Sequence, residues 1–362
     1  MSKADNIYLN IPIPSKPDTS DNPYPHNKRA IYDETLSVPV IQNPSDYYAS
    51  IIRFSLPVSE IPLFLFPLNI HQPDPDISNL MIGIITSPGN VMYQQFVRYI
   101  VNSNTSNPPT PSGSDPYFTY DDTISSYYYI FYIQPFINMV NTALAAAVTA
   151  SGIGVTAPYY IYTPTTQLLS LIVTQAFLAT GAKIFMNSLL LPYFNSFNFD
   201  VQHVPGSLTQ SIAVHNLSTI PYGSPVGGPY QFIEEYNSIN LWPDIRKIVI
   251  TTSLPINQEA NPINLGNVNG SAAYLPIFTD FVVAYNNISD ISSVITYNPQ
   301  SQYRLVDMSS NTPINRISLT FYWLSKNGSL LPVYISPNQS ITVKIGFFKK
   351  DLYKNSNLTK IM

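Results

Sequence analysis

The chain has few residues that could do covalent chemistry. It contains no cysteine and four histidines, His26, His71, His203 and His215. A serine nucleophile needs a base and an orienting group beside it, and no Gly-x-Ser-x-Gly elbow accompanies any of these histidines. We therefore expect no catalytic residue and predict that the protein is not an enzyme.

Two pairs of adjacent carboxylates, Asp121-Asp122 and Glu234-Glu235, are the nearest match to the acid and base of a glycosidase. Neighbouring residues on a strand point to opposite faces, so adjacent carboxylates cannot converge on one bond there. We interpret both pairs as charges on loops.

One segment, His71-Gln72-Pro73-Asp74-Pro75-Asp76, brings ligands for a hard cation together in sequence. A calcium site requires six to eight oxygen ligands, and the two prolines hold this segment extended, which spreads its side chains apart. We predict a solvated loop and no metal site.

Two glycine-rich segments carry no cofactor site by our interpretation. Gly152 to Ala157 matches a dinucleotide fingerprint formally, but it follows a helical pattern and precedes Pro158, so no helix N-terminus is available for a pyrophosphate. It is predicted to be a loop that ends a helix. The segment 223–228 is predicted to be a flexible turn, and no cofactor is expected.

Two further features have alternative interpretations. The aromatic run 127–132 favours a strand that lies in a sheet core or contacts another subunit, although such a face could also stack on sugars. Arg53 lies inside an apolar strand. It is either an outward charge at the strand end or a buried arginine held by a carboxylate.

Composition points to assembly. Charged residues make up 10% of the 362 residues, against about 25% in an ordinary soluble domain, while tyrosine and phenylalanine number 27 and 18. Charge depletion with aromatic enrichment is typical of buried interfaces. The net charge of −4 gives no global sign of nucleic-acid binding. No apolar run reaches the roughly 20 residues of a transmembrane segment.

Short strands separated by turns dominate the pattern. One helix is predicted from Pro135 to Ser151, ended by Gly152, and a weaker one at 168–179. A hairpin is predicted at Lys326-Asn327-Gly328-Ser329. On the last long strand before it, Ile317, Leu319, Phe321 and Trp323 share one face, assigned to the core. Further strands are predicted at 47–56, 80–85, 91–100, 127–133, 248–252, 278–285 and 341–347.

These elements predict an all-β fold, a jelly-roll sandwich with a large helix-containing insertion. The jelly-roll domain would cover 31–350, interrupted at roughly 102–240. The 33 prolines of the chain include five in the first 30 residues. We therefore expect residues 1–30 to be an extended N-terminal arm without apolar periodicity, and residues 351–362 to be a basic C-terminal tail.

Several short segments add a family likeness through their order and spacing. They are 43–48 (NPSDYY), 52–54 (IRF), 136–144 (FINMVNTAL), 241–243 (LWP), 248–253 (IVITTS), 279–281 (TDF), 303–307 (YRLVD), 321–323 (FYW), 327–328 (NG) and 344–350 (KIGFFKK). This series resembles the minor capsid, or penton, proteins of virophages and polinton-like viruses. Segments 43–54 resemble the opening of that family's first core strand.

The resemblance implies a structural capsid protein that forms pentameric vertex capsomers of an icosahedral double-stranded DNA virus. It implies a homopentamer that contacts the major capsid protein of the same virion and is assembled in the host cell. Two alternatives are a major capsid protein of the double-jelly-roll type, which would form trimers, and a β-module that binds carbohydrate or a host receptor.

The C-terminal end is locally basic. Lys349, Lys350, Lys354 and Lys360 follow the last predicted strand with few apolar neighbours. Lysine neutralises phosphate without sequence specificity. We hypothesise that both termini lie on the inner side of the shell, where these lysines contact packaged DNA or an acidic internal protein. The alternative is that both are frayed ends.

Overall fold

The computed structural model describes residues 6–14, 28–57, 63–67, 74, 76–100, 127–130, 132–204, 206–217, 229–257, 276–282, 294–297, 304–326, 328, 330–335 and 339–352. The chain divides into two compact units. The first combines Met1–Ile61 with Asp244–Met362, and the second is Pro62–Pro243. The first unit thus takes its strands from both ends of the chain, and an inserted unit lies between them.

The first unit is built from strands. In chain order those of its described residues are β1 (Asn6–Pro14), β2 (Lys28–Arg29), β3 (Ile31–Thr35), β4 (Tyr47–Pro57), β15 (Ile245–Thr252), β16 (Ile277–Val282), β17 (Val294–Tyr297), β18 (Val306–Asp307), β19 (Arg316–Ser325), β20 (Leu330–Pro332), β21 (Tyr334–Ile335) and β22 (Ser340–Lys349). The numbers from 5 to 14 belong to the second unit.

Eight of these strands form two antiparallel sheets. One has the order β1-β22-β4-β17, and the other runs β16-β15-β19 with β3 on the far side of β19. Numbered one to eight along the chain, the two orders are 1-8-3-6 and 5-4-7-2. This is the strand order of a jelly roll, in which strands distant in sequence become neighbours. The predicted fold class is confirmed.

The first jelly-roll strand is β1, which the sequence interpretation assigned to an arm. Its whole length pairs with β22, from Asn6 opposite Phe348 to Pro14 opposite Ser340, and Ile11 and Ile13 are buried. The predicted arm without apolar periodicity is therefore wrong for this stretch. The predicted first core strand, 47–56, is the third strand of the roll. Residues 15–27 lie outside the described residues.

Aromatic rings join the two sheets. Phe54 of β4 stacks on Phe281 of β16 at 5.5 Å and on Phe321 of β19 at 5.7 Å between ring centroids. The four residues of β19 predicted to face the core are all buried: Ile317, Leu319, Phe321 and Trp323. The strand alternates buried and partly exposed positions along its length, so that prediction is confirmed.

Two local predictions for this unit are also settled. Arg53 is exposed, between the buried residues Ile52 and Phe54, so the outward alternative is correct. The hairpin predicted at 326–329 joins β19 to β20. Gly328 takes a φ of +84° there, a conformation that glycine adopts without steric cost.

The second unit mixes two sheets with helices. Its elements are β5 (Phe64–Pro67), β6 (Ile77–Ile85), β7 (Met92–Arg98), β8 (Tyr127–Ile130), α1 (Ile133–Ser151), β9 (Tyr159–Thr163), β10 (Leu168–Val173), α2 (Gln175–Ala179), β11 (Lys183–Asn187), β12 (Phe199–His203), β13 (Ser211–His215) and β14 (Tyr230–Ile233). The sheets have the orders β12-β13-β11-β6-β7 and β14-β10-β9, and β5 pairs with β8.

Helix α1 forms as predicted. Its buried face includes Phe136, Val140, Leu144 and Val148, and it ends at Gly152, which takes the left-handed conformation. The weaker helix predicted at 168–179 is wrong for its first half. Leu168–Val173 is instead the central strand of the three-stranded sheet. A helix begins only after Thr174, whose side chain accepts a hydrogen bond from the amide of Phe177.

The insertion is longer than predicted. The insertion is predicted to begin near residue 102, whereas the second unit begins at Pro62. The strands predicted at 80–85 and 91–100 match β6 and β7 and lie in this unit rather than in the jelly roll. The exit from the jelly roll therefore follows the third strand, β4, and the return is β15.

Candidate assembly surface

Strand β1 forms one edge of the jelly roll, beside β22. Pro12 and Pro14 are exposed on this edge and have no N–H to donate to a further strand. Tyr8 is 50% exposed, and the ammonium group of Lys344 lies 5.2 Å from the centroid of its ring. The edge thus resists indiscriminate strand pairing and presents side chains to a partner.

Of the four predicted tail lysines, Lys350 is used within the unit. Its ammonium donates to the backbone carbonyls of Ser45 at 2.6 Å and Met308 at 3.2 Å. It also pairs with the carboxylate of Asp307 and lies 5.4 Å from the ring centroid of Tyr48. With these partners Lys350 anchors the end of β22, so its predicted role in contacting DNA is not supported by its surroundings.

The other three predicted lysines have different positions. Lys349 ends β22 and is partly exposed, and its backbone amide donates to the side chain of Asn6 at 3.4 Å. Lys354 and Lys360 lie outside the described residues. The hypothesis of a basic contact surface therefore depends on Lys349 and on the residues after 352.

Ion pairs hold the outer strands of the second jelly-roll sheet. The carboxylate of Asp280 on β16 accepts from Lys247 at 2.7 Å and pairs with Arg304. Burial opposes ionisation of Asp280, but the two cations outweigh it and lower the pKa of its carboxyl. Arg316 and Asp33 form a bidentate pair across β19 and β3 at 2.8 and 2.6 Å. These charges are paired within the chain.

The structure describes only some of the residues that were considered for chemistry in the sequence. Asp74 and Asp76 both pair with Arg98, at 3.2 and 3.4 Å. Across the described ranges, no group of three or more histidine, aspartate or glutamate side chains is placed to hold a metal. His26, His71, Asp121-Asp122 and 223–228 lie outside those ranges, as do the side chains of 127–129. No helix in the part of the chain that the structure describes is long and apolar enough to cross a membrane.

Glu234 was predicted to be a loop charge, and this is wrong. Glu234 is 2% exposed. Its carboxyl accepts hydrogen bonds from the amide of Leu169 at 2.9 Å and from the hydroxyl of Ser238 at 2.7 Å. Burial raises the pKa of Glu234, against the opposing effect of these hydrogen bonds. The carboxyl links the start of β10 to the 3-10 turn Ser238–Leu241, so its role is structural.

His215 is also buried, and it contacts the hydroxyl of Tyr160 through Nε2. Tyr160 and His215 are 0% and 4% exposed, and the His215 ring packs against Phe199 at 4.1 Å and Phe197 at 5.5 Å between centroids. Burial lowers the pKa of His215 to about 3 and raises that of Tyr160. A pair so enclosed by aromatic rings contributes to the packing of the second unit.

The buried histidine predicts acid sensitivity of the second unit. Below its ordinary pKa of 6.5 the unfolded chain protonates His215, whereas the folded chain does so only near pH 3. Stability should therefore fall as the pH drops through this interval, with a limiting slope of about 1.4 kcal/mol per pH unit from this residue. Unfolding can be followed by Trp242 fluorescence in a Trp323→Phe background, because the chain has two tryptophans, one in each unit.

The control for this prediction is His215→Gln, which retains a polar group for the Tyr160 hydroxyl but does not titrate. The variant should show a shallower loss of stability between pH 6.5 and pH 3. The opposing contribution of Glu234 is common to both proteins and cancels in the comparison. Equal slopes in the two proteins would contradict the assignment.

Comparison with known proteins matches this chain to capsid components. The family model of the Sputnik minor capsid protein V18/19 matches residues 7–350. Protein V18 of Sputnik virophage is 32% identical over 162 residues, which is 44% of this chain and 92% of V18. Structural protein V19 of the same virophage is 27% identical over 216 residues, 54% of this chain and 95% of V19.

Solved structures agree with that match. A chain in the cryo-EM structure of the Sputnik virophage is 27% identical, with a TM-score of 0.71 over 96% of this chain and 99% of that one. The mavirus penton protein has the same fold at 16% identity, with a TM-score of 0.61 over 95% and 99% of the two chains. Since the family model spans nearly the whole jelly roll and its insertion, this chain belongs to the family of the Sputnik minor capsid protein V18/19 and is a structural protein of the virion capsid.

Proposed function

We propose that this chain is a penton protein, five copies of which form each vertex capsomer of an icosahedral double-stranded DNA virus. The observation that carries the proposal is the family match over residues 7–350, which includes both the jelly roll and its insertion. The fold of the mavirus penton protein supports it.

The strand order favours a single jelly roll. In the described residues the jelly-roll order occurs in the first unit, whereas the second unit has a five-stranded sheet, a three-stranded sheet and helix α1. A major capsid protein of the double-jelly-roll type needs two such rolls. This difference favours a pentamer over the trimer expected for that alternative.

The same arrangement supports a role without catalysis. The two buried titratable side chains that stand out, His215 and Glu234, are enclosed by their own unit. We propose that the protein contributes contacts alone: with copies of itself, with the major capsid protein of the virion, and with a host receptor where parts of the second unit face outward.

Counting copies tests the proposed pentamer. We expect native mass spectrometry of the assembled protein, or cryo-EM of virion vertices, to show five copies around each axis. Closed rings bury heterologous surfaces without leaving open edges, and a chain with 10% charged residues gains from such burial. Trimers would overturn the pentamer and favour the major-capsid alternative.

We also propose that Lys349, at the end of β22, and the residues after Leu352 face the interior of the shell and contact packaged DNA or an acidic internal protein. Lys349, Lys354 and Lys360 supply the positive charge. Limited proteolysis tests this placement. We expect the segment after Leu352 to be cleaved in the free protein and protected in intact particles. Equal cleavage in both would show that the segment faces outward.

A further inference from the structure

The outer face of the three-stranded sheet β14-β10-β9 in the second unit is largely apolar within its strands, and the exposed Glu235 follows at the end of β14. Cross-strand register places Tyr159 beside Ile172, and Ile161 in one row with Ser170 and Ile233. Tyr159 is 43% exposed and Ile233 58%. We call this surface the three-stranded face, and its apolar members are Tyr159, Ile161, Leu168, Ile172 and Ile233.

The few polar side chains of this face are Thr163, Ser170 and Gln231. The Gln231 amide donates to the Ser170 hydroxyl at 3.0 Å, so these two groups satisfy one another. The opposite side of the same sheet is the core side, with Tyr160, Leu169, Leu171 and Phe232 buried. A sheet with a largely apolar outer side is suited to a protein contact that excludes water.

One edge of this sheet is closed by a side chain, and at the other edge no strand among the described residues pairs with β14. The side chain of Asn141, on α1, blocks the β9 edge. It donates to the carbonyl of Tyr160 at 2.8 Å and accepts from its amide at 2.7 Å. On β14, Glu234 donates its amide inward to Leu169 at 3.0 Å. By antiparallel alternation the amides and carbonyls of Gln231 and Ile233 then point away from β10.

A second apolar feature of the same unit is the Leu208 tip, the turn 206–210 between β12 and β13. Leu208 is 99% exposed. The turn is nevertheless ordered, because the Ser207 hydroxyl accepts from the amides of Thr209 at 3.3 Å and Gln210 at 3.0 Å. The amide of Val204 also donates to the carbonyl of Gln210 at 3.0 Å. An ordered turn therefore presents a leucine entirely to solvent.

On the footing of the proposed pentameric capsomer, we infer that the Leu208 tip of one copy packs on the three-stranded face of the next copy around the ring. A ring with one type of contact needs two different surfaces on each copy, and this unit supplies one of each. Within the three strands and the turn, neither surface carries a charged side chain, and the exposed Glu235 borders the face only where β14 ends. Because Leu208 and Ile233 are both solvent-exposed, they do not cover each other within one chain.

Cysteine cross-linking tests the contact, and the chain has no cysteine of its own. We expect Leu208→Cys combined with Ile233→Cys, treated with a short bismaleimide after assembly, to give a denaturing-gel ladder up to five linked chains. The matched control is Leu208→Cys with Leu189→Cys. Leu189 is 53% exposed in the same unit but belongs to neither surface, and this pair should give no ladder.

The outcomes separate this contact from the proposed pentamer. Five copies by native mass spectrometry without a ladder would overturn the contact and leave the pentamer standing. A ladder that stops at three, with trimers by mass, would overturn the pentamer and keep the contact. Cross-links within one chain, or dimers formed by Ile233→Cys alone, would overturn the arrangement of tip on face.

A charge variant gives a second measurement. The protein concentration needed for assembly should rise at least about tenfold in Leu208→Glu. In Leu189→Glu, which adds the same charge, it should stay unchanged. In a Trp323→Phe background, both variants should unfold like the chain without them when Trp242 fluorescence is followed, because both positions are exposed. Unchanged assembly of Leu208→Glu would overturn the contact.

Discussion

Trp323→Ala should destabilise the jelly-roll unit by about 3–5 kcal/mol. Trp323 is 0% exposed and lies on β19, which pairs with β15 on one side and with β20 and β3 on the other. Removing the indole leaves a cavity in the core on the buried face of this sheet, because the paired backbone of β19 holds the surrounding strands in place. The measurement is denaturant unfolding followed by circular dichroism, with Trp242 fluorescence reporting the second unit separately.

Trp323→Phe is the matched comparison. Among the described residues, the buried Nε1 of Trp323 has no hydrogen-bond partner. Phenylalanine keeps most of the ring and removes this unpaired donor, so the variant should lose less than about 1.5 kcal/mol. A loss below about 1 kcal/mol for Trp323→Ala would contradict the core assignment.

The alternation of β19 and the spacing of α1 made these elements predictable, because each buries one face and exposes the other. Strand β1 carries the same signal in Ile7, Leu9, Ile11 and Ile13, which recur at every second residue. The five prolines in the first 30 residues instead favour an extended arm. Those within β1 are compatible with a strand because β1 is an edge strand, where an N–H that faces outward is not needed.

The extent of the insertion could not be predicted from local pattern. Strands β6 and β7 alternate in the same way as jelly-roll strands, and only their pairing places them in a different sheet. Pairing between distant segments is a property of topology, which hydrophobic periodicity does not encode. The departure point near Pro62 therefore became visible only in the structure.

Charged side chains were the least predictable part of the candidate site. The sequence predicts Glu234 in a loop and Lys350 in a tail. In the structure, Glu234 is buried and Lys350 is enclosed by two carbonyls and a carboxylate. Leu169, which binds Glu234, is 65 residues away from it in sequence. Ser45, which binds Lys350, is 305 residues away. A buried charged group depends on such partners, and no spacing rule finds them.

Phe136→Ala should destabilise the second unit by about 3–5 kcal/mol. Phe136 is 0% exposed and lies on α1 within a ring cluster. Its centroid is 4.7 Å from that of Phe64, 5.2 Å from Tyr193 and 5.3 Å from Trp242. The pairs with Phe64 and Trp242 are edge-to-face and add to the effect of burial alone, so alanine removes both contributions at once.

Trp242 lies inside this cluster, so its fluorescence in a Trp323→Phe background reports the unfolding directly. The control is Asn138→Ala, on the exposed side of the same helix, which should change stability by no more than about 0.5 kcal/mol. The transition of the jelly-roll unit, followed by Trp323 in a Trp242→Phe background, provides a second reference for each variant. If Phe136→Ala unfolds at the same denaturant concentration as Asn138→Ala, the ring cluster does not hold α1 to its unit.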